Sequence, residues 1–485
     1  MHRVALASIF GLLVSCTQEV PTASLVIEGV SVIDVRDGSV AENATLVLES
    51  NRIRAVGKAG SFRVPDGTTV VDGTGKYAIP GLWDMHVHAL WPFWHDSFLK
   101  LFVAHGVTGF RETWGALELG DQVRQRRASG EGYVPRFVMA GNLVDGADPI
   151  WPGSVVAATP EEGRTVVDSL VAAGAGFIKV YSLLSHETFY AIAERAKALG
   201  IPFAGHVPAS VRAADAAEAG QASIEHLTGV AEGCAGAEEQ IIAGLKAWRA
   251  AHAAGDSSVS RLERRRGERQ LTLSTQDDGR CDELMQVFVA NQTRLVPTLV
   301  TLRGYTFMND PDFTNDPRLK YLPPSVSDFW DPEQNTFVTE RTADDWRMDR
   351  EMLALYVELT GRAKRAGVPV LAGSDTPNPY AFPGSGLHDE LELLTEAGFT
   401  PLEALQAATL DAATFIEATD SLGTLEVDKL ADIVLLDGNP LEDIGNVRRI
   451  HAVVLNGRLL MRGDLDLLLS EVEAMAAAAG AVEGA

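Results

Sequence analysis

The sequence predicts an α/β fold: a (β/α)8 TIM barrel with a small β-sandwich domain formed from the N- and C-terminal segments. Two observations predict it. Residues 80–420 alternate strand-like and helix-like patterns in eight regular units, the order of a (β/α)8 barrel. Short alternating apolar runs occur at both ends, over 24–79 and again over 421–464. Strands from opposite ends of a chain can pair into one small sandwich. A doubly wound sheet is the competing architecture.

The elements follow in order. SLVIEGVSVID and ATLVLESNRIRAVG carry hairpin signals, with Glu49-Ser50-Asn51 as a turn. The barrel region opens with the strand LWDMHVH and the helix HDSFLKLFVAHG. VTGFRET pairs with LELGDQVRQRRASG, PRFVMAGN with PEEGRTVVDSLVAAG, and FIKVY with SHETFYAIAERAKALG. PFAGHV precedes the helix SVRAADAAEAG. SIEHL precedes an insertion at 229–293. RLVPTLV is followed by a loop at 303–340 and a helix over 340–366. VPVLAGSD and GLHDELELLTEAG complete the eight units. Glycine closes many of these helices, as a C-cap does. After the barrel come ADIVLLDG and HAVVLNGRLL, with Asn456-Gly457 as a two-residue turn. Residues 465–485 form an Ala/Leu/Glu-rich tail, expected as a surface helix.

Composition limits the function classes. The chain has 485 residues, is 46% apolar and 22% charged, and so is ordinary globular material. Its net charge of −25 would repel phosphate backbones, which argues against nucleic acid. It also argues against a broad contact with anionic lipid.

The N-terminus reads MHRVALASIFGLLVSC. Arg3 supplies a short basic region, and residues 4–15 are almost wholly apolar. A membrane span needs about 20 such residues, so a secretory signal over 1–16 is the better reading. Leu13-Val14-Ser15-Cys16 resembles a bacterial lipobox, in which the Cys is lipidated; the alternative is an ordinary signal with an incidental Cys. Thr17 is not the Asp of inner-membrane retention. The expectation is an exported envelope lipoprotein on the outer-membrane or periplasmic side, touching membrane only through its N-terminal lipid. Cys234 and Cys281 remain. In an oxidising compartment they can bridge, or they can stay as two buried thiols.

The polar residues at strand ends carry the chemistry. Strand one ends in His86-Val87-His88, and residues i and i+2 of a strand face the same side. Strand four ends near Lys179, strand five at His206, strand six at Glu225-His226 and strand eight at Ser374-Asp375. Barrel enzymes keep their sites at these strand ends. Four His and one Asp make a nitrogen/oxygen site for zinc or a similar divalent ion. A lone HxH carries little weight; the series carries the argument. His95 follows strand one closely enough to line a pocket.

Together AIPGLWDMHVH, GFIKVY, AGHV, SIEHL and AGSDTP resemble the amidohydrolase superfamily. VTGFRET and PIWPGS extend the resemblance to the binuclear branch related to imidazolonepropionase. That branch includes Xaa-Pro and Xaa-Arg/Lys dipeptidases and ochratoxin-hydrolysing enzymes. The resemblance implies two divalent metal ions, zinc by expectation. His86, His88 and Asp375 would hold the first, and His206 and His226 the second. Lys179, N6-carboxylated, would bridge both; a bare amine, with a pKa of about 10.4, is protonated and cannot ligate. Asp375 would act as general base and acid, and Tyr181 would donate to the developing oxyanion. The alternatives are a salt-bridged barrel lysine and an aromatic packing residue.

The function so implied is hydrolysis of the amide bond of a dipeptide or N-acyl amino acid by a metal-activated water. Cyclic amides, lactones and phosphotriesters are the alternative substrates within the superfamily, and a solute-binding lipoprotein is the non-enzyme alternative. The partner is a small-molecule substrate, and a homo-oligomer stays open. Trp91, Trp94, Trp114, Trp151 and Tyr305 follow strand ends and could shape the pocket. Arg111 or Arg303 could pair with a substrate carboxylate, since Arg binds it bidentately; each could equally be structural.

Overall fold

The computed structural model describes residues 18–483, apart from 21 and 257. The signal-like segment with Cys16 lies outside the described residues. The chain is mixed α/β, and seven of the eight expected parallel strands occur in the expected order. Strands Leu82–Val87, Val107–Glu112 and Arg136–Met139 pair in parallel. So do Ile178–Val180, Phe203–Gly205, Ser223–Glu225 and Arg294–Val296. The Gly176 amide donates to the Met139 carbonyl at 2.8 Å, linking the two runs. Helices such as His95–Ala104, Pro160–Ala172 and His186–Leu199 return the chain between strands, which parallel pairing requires. Every residue of the first two strands is buried, as expected where both sheet faces are covered.

The eighth segment departs from expectation. VPVLAGSD is extended but forms no continuous strand. Val370 makes a single parallel bridge to Leu295, and Thr376 one to Val87. Between them Met85 donates to the Ala372 carbonyl, and Asp375 to that of His86. The reason lies at Ser374 and Asp375. The Ser374 amide and hydroxyl both donate to the buried Asp84 carboxylate, at 2.8 and 2.6 Å. Asp375 then adopts φ 59°, which a regular pleat does not accommodate. The seventh strand also stops early. Pro297 cannot donate to a ladder, Thr298 turns left-handed at φ 48°, and the helix Leu299–Thr306 begins.

The insertion at 229–293 is helical. Val230–Gly233, Glu238–Ala253, Arg261–Ser274 and Asp278–Ala290 fold back on one another. A disulfide joins Cys234 to Cys281, the bridged alternative of the two read from the sequence.

The two ends of the chain meet in one eight-stranded sheet. Tyr77–Pro80 from the first end pairs antiparallel with Ile433–Leu436 from the second. Ile27, Leu46 and Leu48 share an apolar cluster with Ile433, Leu435 and Val454. The hairpin Ile450–Leu455/Arg458–Met461 turns at Asn456 and Gly457, with φ 53° and 81°. Two successive positive φ values are what this tight turn demands.

The C-terminal helix Arg462–Glu483 is more than a surface appendage. It buries Leu465, Leu468 and Val472 and packs against the helix His95–Ala104. Truncating one such leucine to alanine costs about 2–5 kcal/mol. No described helix is long and apolar enough to cross a membrane.

Candidate metal centre

A cavity of about 1170 Å³ opens where the parallel strands end. His86, His88, Lys179, Tyr181, His206, His226 and Asp375 all line it. The strands explain why. Leu82–Val87 delivers His86 and His88, whose rings stand 5.3 Å apart. Ile178–Val180 delivers Lys179, with Tyr181 two residues on. Phe203–Gly205 and Ser223–Glu225 end at His206 and His226.

The contacts inside are close. The ligating atoms of His86, His226 and Asp375 lie within 4.8 Å of one another. His88 Nε2 is 2.9 Å from Asp375 Oδ1, and His86 Nε2 is 3.2 Å from it. Lys179 Nζ is 3.3 Å from His86 Nε2. The His206 ring lies 4.8 Å from that of His226 and 4.0 Å from that of Tyr181.

Burial decides the protonation states. It pushes His86 and His206 well below the ordinary imidazole value, and His226 to about 4. The Lys179 amine beside His86 and the neighbouring imidazoles act in the same direction. Burial lowers Lys179 itself to about 8, against the pull of Glu225 and Asp375. Burial alone would raise Asp375, but the imidazoles of His226, His86 and His88 hold it below the ordinary carboxylate range. The centre therefore offers neutral imidazoles and an ionised carboxylate, the states that bind a metal.

One buried atom tests the fit. Among the described residues Asp375 Oδ1 is approached by two imidazole nitrogens, His88 Nε2 and His86 Nε2, and by no hydroxyl or backbone donor. His86 Nδ1 faces Glu225 Oε2 at 2.7 Å, a contact that places the proton on Nδ1 and the lone pair on Nε2. The Nε2 lone pair then points toward a carboxylate oxygen, lone pair against lone pair. Such an arrangement is costly in a buried site unless a cation sits within it. The donor set of nitrogen and carboxylate oxygen suits zinc or a related divalent ion.

The supporting residues were less visible in the sequence. Glu225 orients His86 and is gripped by Arg111, whose Nη2 is 2.8 Å from both carboxylate oxygens. Arg111 also donates to the Met85 carbonyl and to Ser223 Oγ. It is fully buried, so of the two readings of Arg111 the structural one holds: it braces the floor of the site. Burial acts to raise Glu225, but Arg111 and Lys179 hold it net below its ordinary value. Period-two alternation in SIEHL, which puts Ser223 and Glu225 on one side, was the available signal. Ser182 Oγ meets His206 Nδ1 at 2.8 Å, and Thr298 Oγ1 meets His226 Nδ1 at 2.7 Å.

For Arg303, too, the structural reading holds. It lies 3.6 Å from Asp389 and is not among the cavity residues. His95 does not line the cavity either; its Nδ1 is 3.1 Å from the Trp91 carbonyl within its own helix start. Trp91, Trp94, Trp114, Trp151 and Tyr305 do line it. Tyr181 receives a hydrogen bond from Trp151 Nε1 at 2.9 Å. Burial raises its hydroxyl well above the ordinary phenol value, so the proton stays on.

The model of an amidohydrolase family matches residues 335–460. An adenine deaminase from Staphylothermus marinus is 33% identical over 92 residues, 18% of this chain and 15% of that protein. The matched segment thus spans only a small part of that relative. Among solved structures, bottromycin amidohydrolase superposes with a TM-score of 0.68 at 24% identity, covering 93% of this chain and 90% of the other. A Xaa-Pro dipeptidase with methionine bound in its active site gives 0.64 at 20% identity, covering 90% and 99%. These likenesses show a shared fold.

Proposed function

We propose that this chain, whose family match and fold support the amidohydrolase superfamily, is a metal-dependent hydrolase cleaving the amide bond of a dipeptide or N-acyl amino acid. The observation that carries the reading is Asp375 Oδ1 set against the Nε2 lone pair of His86, among imidazoles that burial keeps neutral. We read the parallel strands as a (β/α)8 barrel over 80–420, and the sheet from 24–79 plus 421–464 as a composite sandwich. Export as an envelope lipoprotein, anchored at Cys16, belongs to the same proposal.

His86, His88 and Asp375 would hold one divalent ion, and His206 and His226 a second, with N6-carboxylated Lys179 between them. Bound ions would supply Lewis acidity toward the scissile carbonyl and the attacking water. The chain's own residues do the rest. Asp375 takes the proton of the water and passes one to the leaving amine. Tyr181, still protonated, donates to the oxygen on which charge develops. Glu225 keeps His86 in one tautomer, and Arg111 keeps Glu225 charged. A second reading, hydrolysis of another C–N bond, draws on the local likeness to adenine deaminase. Lys179 at the heart of the centre favours the first.

The test is a zinc-loaded preparation screened against dipeptides and N-acyl amino acids, beside Lys179→Ala. Turnover should appear in the wild type. The variant should hold less metal by elemental analysis and lose about 10³-fold or more in kcat, the scale on which removal of a central catalytic group acts. Near-normal metal content and activity in Lys179→Ala would return the lysine to a structural role.

A further inference from the structure

The protein carries a net charge of −25, yet one wall of its cavity is basic. The insertion contributes Arg249, Arg261, Arg264, Arg265 and Arg269 to the lining, and Arg341 joins them. Most are committed to partners or lie at the rim. Arg264 donates to Glu268. Arg269 and Arg341 both pair with Asp349. Arg261 is exposed. Two guanidiniums have no carboxylate bound to them. Arg265 makes no hydrogen bond or ion pair with any described residue. Arg249 makes one hydrogen bond, to the backbone carbonyl of Ser182 at 3.2 Å. Asp145 acts on Arg249 through space, but its oxygens accept from the amides of Gly146, Ile150 and Leu183; Glu268, which acts on both arginines, is already engaged by Arg264.

Guanidiniums drawn out of water without a counter-ion are costly. Burial pulls both Arg265 and Arg249 below the ordinary arginine value. An anion arriving in the cavity would remove that cost. The position is also right for the chemistry. Ser182, whose carbonyl Arg249 holds, places its hydroxyl 2.8 Å from His206. Arg265 lines the same cavity as Tyr356 and Tyr305, both within its electrostatic reach, and the Tyr305 hydroxyl donates at 3.0 Å to Asn378, three residues beyond Asp375. Trp114, Trp151 and Phe337 follow one another along the same cavity, tilted by 42° and 48° with ring centroids 5.9 and 5.6 Å apart. They offer an apolar wall for the body of a ligand whose charged end lies at the arginines.

We propose that Arg265, with Arg249, forms an anion subsite that takes the free carboxylate of the substrate, so that the enzyme selects acids over their carboxamides. This rests on the amide-hydrolase reading. Both arginines act as specificity residues, remote from the reacting bond, and guanidinium–carboxylate pairing is strong and directional enough for the task.

The test uses the full, metal-loaded chain and a non-scissile probe. N-benzyl-L-phenylalanine, a reduced amide, and its primary carboxamide are compared by calorimetry. The wild type should bind the acid at least ~20-fold more tightly, a usual scale for a charge-assisted pair. Arg265→Gln should bring the two probes within ~3-fold by weakening only the acid, and Arg265→Lys should retain part of the preference. Unchanged carboxamide binding shows that Arg265→Gln is folded; should it not fold, Arg249→Gln carries the test, with an expected loss of ~5-fold in acid preference. Equal binding of the two probes by the wild type overturns the proposal. So does a preference that survives both variants, as direct carboxylate–metal binding would give. Selective binding of the acid with no turnover of any amide sinks the hydrolase reading and leaves the subsite standing.

Discussion

At the scale of single residues, the centre is a chain of oriented groups. Arg111 charges Glu225, Glu225 fixes the His86 tautomer, and His86 turns its free nitrogen toward Asp375. Each link is buried, so each group must be satisfied by the next. Tyr181 differs from the rest, because it has a donor partner in Trp151 but no acceptor among the described residues. Its proton is therefore available to the substrate. Tyr181→Phe should lower kcat by ~10²-fold, the usual loss for one oxyanion donor. Metal content should not change, and KM should move little. Elemental analysis beside steady-state kinetics checks this; a parallel loss of metal would mean that the tyrosine supports His206 instead.

At the scale of elements, the insertion is fastened to the helix Ala343–Ala366 by charge. Arg266, on the insertion helix Arg261–Ser274, meets Asp345 in a two-pronged pair at 2.6 and 2.6 Å. Asp345 also caps the helix Ala343–Ala366 by accepting from the Thr342 amide at 2.7 Å. The Arg266 hydrogen bond, ahead of the other contributions, holds Asp345 well below the ordinary carboxylate value. A depressed folded-state value stabilises above the unfolded pKa, and the contribution is lost as pH falls. The gap in urea midpoint between wild type and Asp345→Asn should be steady above about pH 5 and shrink below about pH 4. A gap that does not change with pH would show that shape, not charge, fastens the helix.

At the scale of the whole molecule, the cavity is closed by parts that lie far apart in sequence. The Cys234–Cys281 bridge spans 47 residues and encloses the helices that carry Arg249 and Arg265. In the chain-entropy model such a loop contributes about 4 kcal/mol. The double variant Cys234→Ser/Cys281→Ser should lower the urea midpoint and speed proteolysis within 229–293. Equal cleavage rates with and without the bridge would show that helix packing alone holds the insertion. The opposite ends of the chain are held by Tyr77–Pro80 against Ile433–Leu436, and Arg136 adds a 2.5 Å contact to Asp432. That contact ties the parallel strands to the composite sheet.

Much of the molecule was legible in the chain itself, because its periodicities are local. Alternation in LWDMHVH and FIKVY placed His86, His88, Lys179 and Tyr181 on the inward side, and the Asn456-Gly457 turn fixed a hairpin. What only the tertiary structure decided depends on contacts between distant residues. Arg111 became a brace because Glu225, 114 positions away, lies within reach. The eighth segment lost its strand because Asp84, 290 positions away, captured the Ser374 amide and hydroxyl. The arginines of 229–293 look like a solvated charge run in the sequence. Whether each one finds a carboxylate or faces the cavity alone is settled by packing, since pairing depends on separation in space and burial, neither of which periodicity encodes.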